Sequence, residues 1–301
     1  MSPAGPPPVS PEPVERDSRG ILDPWLLRER VSLNRYPAGP ALEGLIDRFW
    51  AVQWDLPAGT AHRQQVLTHP GCNLSVGHSE PGAEEIAAGP LEACLNGVAR
   101  RLSTRVLVGR GWAVAAMTTP GGLGSFITDS ASDFTDRVVP LGSAIGVDET
   151  DLIASIDDQP DEPSRVGVLA RVLEDLIVGA DPERVRRARQ VAVVARLAET
   201  DRSLRRLPDL CAKSGIGPRK LQRMFAEHAG VSPTWVLRRY RLLDAAEAVR
   251  DGQQVSWAGV AADLGYADQA HLSRDFRDAI GKPPAAYAAF QPGVAFRGAQ
   301  R

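Results

Sequence analysis

The chain has 301 residues, 43% of them hydrophobic and 24% charged, with a formal net charge of −2. That is enough for two domains with their own cores, and it is not the composition of a disordered or fibrous chain. Three cysteines (Cys72, Cys94, Cys211) without a CxxC pair argue against a disulfide framework or zinc site and for a reducing cytoplasm. No run of 18 apolar residues is present to span a membrane, and the first twenty residues lack the apolar segment of an export signal.

Residues 1–20, with Pro6, Pro7, Pro8, Pro11 and Pro13 and few apolar groups, read as a disordered tail. From Leu42 a short helical period (Leu42, Leu45, Ile46, Phe49) runs into alternation at Trp50, Val52 and Trp54 and a turn at Pro57-Ala58-Gly59. Short β-like pieces follow at Gln65–Thr68, Asn73–Val76, Thr104–Val108 and Trp112–Met117, at spacings suited to an antiparallel sheet or barrel. The run Pro120-Gly121-Gly122-Leu123-Gly124 lacks GxGxxG spacing and a phosphate-binding lysine, so it reads as a turn. From Glu149 the spacing is helical, and Asp181-Pro182 forms an N-cap and first-turn pair. The expected architecture is α+β and multidomain. Residues 21–148 form a β-rich, barrel-like sensor or dimerisation domain, 149–185 a helical connector, and 186–292 an all-α domain.

Charge divides along the same line. Residues 1–180 carry 14 Lys/Arg against 24 Asp/Glu, a net of −10, while residues 181–301 carry 21 against 13, a net of +8. A basic half suits a polyanion, whose phosphates supply sequence-independent affinity.

Within the basic half two stretches repeat about 50 residues apart. Leu210-Cys211-Ala212-Lys213-Ser214-Gly215-Ile216-Gly217 parallels Val260-Ala261-Ala262-Asp263-Leu264-Gly265-Tyr266-Ala267, and Leu221-Gln222-Arg223-Met224-Phe225 parallels Leu272-Ser273-Arg274-Asp275-Phe276. Each half reads helix, glycine turn, helix, the glycine sitting where the chain reverses. Leu221 with Phe225, and Leu272 with Phe276, lie four apart and share a buried face. That turns Arg219, Gln222 and Arg223, and Gln269, His271, Ser273 and Arg274, outward as base and phosphate readers. Between the units, Ser232-Pro233 opens a helix that closes near Asp251-Gly252. About 18 residues give roughly 27 Å, a strut able to present two recognition helices to successive major grooves.

With these motifs, residues from about 190 to 290 resemble the DNA-binding domain of the AraC/XylS family of transcription regulators. The second unit carries the more specific match, Val260-Ala261-Ala262-Asp263-Leu264-Gly265-Tyr266, His271-Leu272-Ser273-Arg274-Asp275-Phe276 and Gly281-Lys282-Pro283-Pro284 with Tyr287. The first departs from the family pattern at Gly217, usually a serine cap, at Ser214, usually apolar, and at Cys211, usually alanine. Arg48-Phe49-Trp50, His69-Pro70-Gly71-Cys72-Asn73-Leu74 and Pro120-Gly121-Gly122 resemble, more weakly, the cupin-like sensor half that precedes such domains.

The resemblance implies a non-enzymatic, cytoplasmic regulator with double-stranded DNA as partner. A small-molecule effector, a second copy of the chain and RNA polymerase are further partners it admits. Trp50 and Trp54 share a strand face as core residues or, alternatively, as effector contacts. A cupin-like enzyme or metal-binding protein with an accessory helical domain is the competing reading. His62, His69 and His78, however, lack the His-x-His pairing with a carboxylate that a metal-bearing cupin requires. No metal and no cofactor are expected. Cys211 reads as a small core residue.

Overall fold

A computed structural model describes residue 21 and residues 30–80, 88–250 and 256–289. The proline-rich segment 1–20 and the expected helix end at Asp251-Gly252 lie outside these residues. Among the described residues eight strands form: β1 (Val31–Pro37), β2 (Ile46–Asp55), β3 (Ala61–Val66), β4 (Asn73–His78), β5 (Leu91–Asn96), β6 (Ser103–Val108), β7 (Arg110–Thr118) and β8 (Val138–Pro140). Six of them pair antiparallel in the order β1-β2-β7-β4-β5-β8, and β3 pairs with β6 in a separate sheet. The N-terminal region is β-rich, as expected. Among the described residues its two sheets stay open and do not close into one hydrogen-bonded ring.

The helical spacing at Leu42, Leu45, Ile46 and Phe49 has another cause. Leu42 ends a 3-10 turn (Pro40–Leu42), and Ile46 and Phe49 lie in β2. The β2–β7 ladder shifts register between Ile46 and Arg48. An extra residue reverses the alternation of a strand, so two residues three apart both point inward. Ile46 and Phe49 are accordingly both buried.

The sheet has two unlike faces. Phe49, Ala51, Leu74, Val76, Leu95, Val114 and Ala116 are buried on one of them. Helix α1 (Leu141–Ile145) and helix α2 (Glu149–Asp157) pack against β5, while α3 (Glu162–Gly179) lies across β2 and β7 with Val166, Leu169 and Leu173 buried. The Tyr36 hydroxyl donates to Glu162 Oε1 at 2.6 Å, and the Arg165 guanidinium lies 4.1 Å from the Trp112 ring centroid. Segment 149–185, expected as a connector, is thus largely a layer packed on the sheet.

The other face is mixed: Val31, Leu33, Val52 and Trp54 cluster with Leu107 of β6 at one end, and polar side chains gather at the other. Register places Trp50, Ala115, Ser75 and Cys94 in one row and Met117, Asn73 and Asn96 in the next. Trp50 Nε1 donates to Asn73 Oδ1 at 2.8 Å and Asn96 Nδ2 to Ser75 Oγ at 3.0 Å. From β6, Arg105 donates to Asn96 Oδ1, bringing the β3/β6 sheet over this face. The β3 side chains His62 and Gln64 are buried. Trp54 is core, 4% exposed, with its indole N–H on the Val108 carbonyl at 3.0 Å, whereas Trp50 remains half-buried.

Seven further helices follow: α4 (Pro182–Thr200), α5 (Leu207–Ser214), α6 (Pro218–Ala229), α7 (Pro233–Arg250), α8 (Trp257–Asp263), α9 (Gln269–Ile280) and α10 (Pro284–Ala289). Their starts follow from local sequence. Asp181 Oδ1 accepts from Glu183 N, Ser232 Oγ from Trp235 N, Ser256 Oγ from Gly259 N and Asp268 Oδ1 from His271 N. The buried core runs without a break from the sheet through α4 into α6 and α7.

Candidate nucleic-acid interface

Helices α5 and α6, and again α8 and α9, form two helix-turn-helix units. Gly215 and Gly265 reverse the chain with φ of 68° and 71°, a conformation that costs an L side chain strain. Leu221 and Phe225 on α6, and Leu272 and Phe276 on α9, are fully buried, as their spacing requires. The rings of Trp257 and Tyr287 pack on Phe276, with centroids 6.1 and 5.5 Å away. Helix α7, 18 residues long, joins the units and is about 27 Å from end to end.

The outward faces hold the expected residues. Arg219, Gln222 and Arg223 are exposed on α6 together with Lys220, which the sequence reading did not single out. Gln269 and Arg274 are exposed on α9 and Ser273 is half-buried. His271 is more engaged. Its ring stands edge-on to Tyr266 with centroids 5.2 Å apart, and Nε2 lies 3.9 Å from Asp275 Oδ2, which also faces Arg238 of α7 at 4.0 Å. His271 thus braces its own helix-turn-helix unit, and Asp275 carries the contact to α7.

The units differ at their caps and in their attachments. Gly217 opens α6 without a side-chain cap, whereas Asp268 caps α9 at 2.7 Å. The first unit is also docked onto the N-terminal region. Arg239 of α7 is 2% exposed, lies 4.6 Å from the Trp235 ring centroid, and donates through Nη2 to the carbonyls of Ala99 and Arg100 at 3.2 and 2.7 Å. Burial, partly offset by Asp136, pulls its pKa down to about 10. Thr135 Oγ1 donates to the Gly230 carbonyl at 2.7 Å and Ser130 Oγ to that of Ala226 at 3.2 Å. The glycine run read as a turn is a 3-10 turn (Gly122–Ser125) and also part of this seam. A Cβ at Gly121 would lie 2.7 Å from Val191 of α4, and one at Gly124 would overlap the His228 ring of α6.

Family comparison bears on both halves. Residues 210–289 match the model described as a helix-turn-helix domain. This segment is an AraC-type helix-turn-helix domain. Residues 34–140, the strand-rich half ahead of the AraC-type domain, match a domain of unknown function (DUF6597). Among solved structures, the C-terminal domain of AraT, a response regulator from Geobacillus stearothermophilus, is 21% identical with a TM-score of 0.33, covering 37% of this chain and 93% of that one. ToxT from Vibrio cholerae is 12% identical with a TM-score of 0.38, covering 88% and 100%. ToxT of strain SCE256 with bound unsaturated fatty acid is 10% identical with a TM-score of 0.38, covering 80% and 98%. No curated protein sequence matched.

Ahead of the AraC-type domain, Cys72 is buried and its thiol is pushed up to about 12, chiefly by desolvation. All three cysteines are free, and Cys211 is half-buried. Among the described residues no group of three or more His, Cys, Asp or Glu side chains is placed to hold a metal ion, and no helix is long and apolar enough to cross a membrane.

Proposed function

We propose that this chain is a cytoplasmic, non-enzymatic, sequence-specific transcription regulator that reads two adjacent major grooves of duplex DNA with α6 and α9. The observation that carries this reading is the pair of helix-turn-helix units at the two ends of one strut, each presenting exposed Arg and Gln side chains beside a buried Leu and Phe pair. Arg219, Gln222 and Arg223 contact one groove, and Gln269, His271, Ser273 and Arg274 the next. Arginine and glutamine supply bidentate contacts to guanine and adenine edges, and serine and histidine reach phosphate or base. The functional division is residues 21–148 as sensor, 149–185 as connecting layer and 186–292 as reader.

The polar end of the face between the two sheets supports a small-molecule effector as the modulator. Trp50, Asn73, Ser75 and Asn96 are half-buried there, and Arg105 reaches across from β6. Few side chains are better suited to orient a small polar ligand than a tryptophan edge with a row of amides. Trp54, tied to Val108, supports that wall from the core. A second copy of the chain and RNA polymerase are the protein partners this reading admits.

Selection from a random duplex pool with the full-length protein at physiological salt tests the DNA reading. The expected result is two enriched elements about 10 bp apart, one helical turn. A bound pool with no enriched sequence, with and without added small molecules, would contradict it.

A further inference from the structure

The seam between the N-terminal region and the first helix-turn-helix unit contains a histidine that its surroundings leave without a partner. His228, in the last turn of α6, is 0% exposed, and neither ring nitrogen makes a hydrogen bond. A buried polar atom without a hydrogen-bond partner is destabilising, so nothing in packing alone calls for imidazole there. The ring lies against Gly124, whose missing side chain makes the space for it.

The charges around His228 are of both signs. From α4 come Arg184 and Arg187; from α6 itself comes Glu227, whose Oε1 lies 3.8 Å from His228 Nε2 and 4.0 Å from Arg184 Nη1. The Gly122–Ser125 turn brings no charged side chain, and the neighbouring 3-10 turn (Ala131–Phe134) brings Asp133. Arg184 is committed to the same seam, donating through Nε to the Gly124 carbonyl at 2.8 Å and through Nη2 to that of Asp129 at 2.6 Å. Glu227 is therefore shared between Arg184 and any charge His228 acquires.

We propose that His228 is a proton-sensitive latch. Neutral imidazole lets α6 dock on the 122–135 segment, and protonation releases the first reading unit from the N-terminal region. The sign follows from the surroundings. Burial lowers the pKa of His228 most, Glu227 opposes it, and Arg184 and Arg187 add to the lowering, which leaves the net shift downward. The docked state thus binds fewer protons than the released state. Docking is unpenalised above the ordinary histidine value near 6.5 and weakens as pH falls from there through the depressed value. Release would free α6 to reorient relative to α9, a change distinct from whatever occupies the sensor half.

Amide hydrogen exchange of the full-length protein at about pH 7.5 and about pH 5.5, corrected for intrinsic rates, tests this. Wild type is expected to lose protection together in 122–135 and 218–230 at the lower pH, by roughly tenfold or more, while β4 and β7 keep theirs. His228→Leu, which cannot take a proton, should stay protected at both values. Gly124→Ala should lose the seam's protection at both. The His228 ring shift, followed by NMR in wild type, should titrate below 6.5 with the same midpoint as the exchange, a readout that holds even if a variant folds poorly. Unchanged wild-type protection, a His228→Leu chain that loosens as wild type does, or a ring that titrates without loosening the seam would overturn the latch.

Discussion

The two helix-turn-helix units share one plan and differ in what holds them. The first is anchored on three sides: Phe225 and Leu221 in the core, Arg239 on the 99–100 carbonyls, and His228, Ala226 and Gly230 against the 122–135 segment. The second rests on α7 and on its own aromatic cluster of Trp257, Phe276 and Tyr287, with Gly265 against Arg205 as its link back to the first. A duplicated motif is thus held in two ways, one copy docked on the N-terminal region and the other more independent. Cap chemistry follows the same division. The docked unit tolerates a bare Gly217, and the freer one carries Asp268.

Substitutions can break this comparison unit by unit. Phe225→Ala and Phe276→Ala should each cost about 3–5 kcal/mol of local stability. In a urea titration followed by hydrogen exchange, the first should loosen α4, α6 and the 122–135 segment together, and the second only α8–α10. Identical patterns would mean that the units are equally embedded. Arg239→Ala takes the donor from the Arg100 carbonyl, leaving that of Ala99 with Thr68 Oγ1, and should cost about 1–3 kcal/mol, read as faster exchange confined to the seam.

On DNA, Arg223→Ala and Arg274→Ala should each lose about 1–3 kcal/mol of affinity and relax sequence preference in different elements of the site. A uniform loss across all sequences would mark a phosphate contact. The smallest effects concern the caps. Asp268→Ala should lower stability by about 1 kcal/mol in thermal unfolding, while Gly217→Ser should shift it by only a few tenths.

The helix-turn-helix units were legible in the sequence because their determinants are local. A glycine at the reversal and an i, i+4 apolar pair fix which side chains turn outward, and Gly215, Gly265, Leu221, Phe225, Leu272 and Phe276 lie where that logic puts them. The strand-rich half was harder. The register shift after Ile46 imitates a helical period, and β5, built on Leu91, Ala93, Cys94 and Leu95 around Glu92, offers little β-branched signal. The seam was invisible for a different reason. Arg239 finds its acceptors about 140 positions away, and His228 is buried by Gly124 from another part of the chain, so neither pairing leaves a trace in local periodicity. Only the glycine run hinted at it, and a turn explains three glycines as readily as a close approach does.

The central proposal is that α7 holds the two helix-turn-helix units about one helical turn of DNA apart. Once the two elements of the site are known, binding should be measured to duplexes in which their spacing is increased by about 5 bp and by about 10 bp. The account predicts that the half-turn insertion, which swings one element to the opposite face of the duplex, abolishes the contribution of one element. Full affinity for the half-turn insertion would show that the units engage DNA independently, and would contradict the rigid two-groove reader.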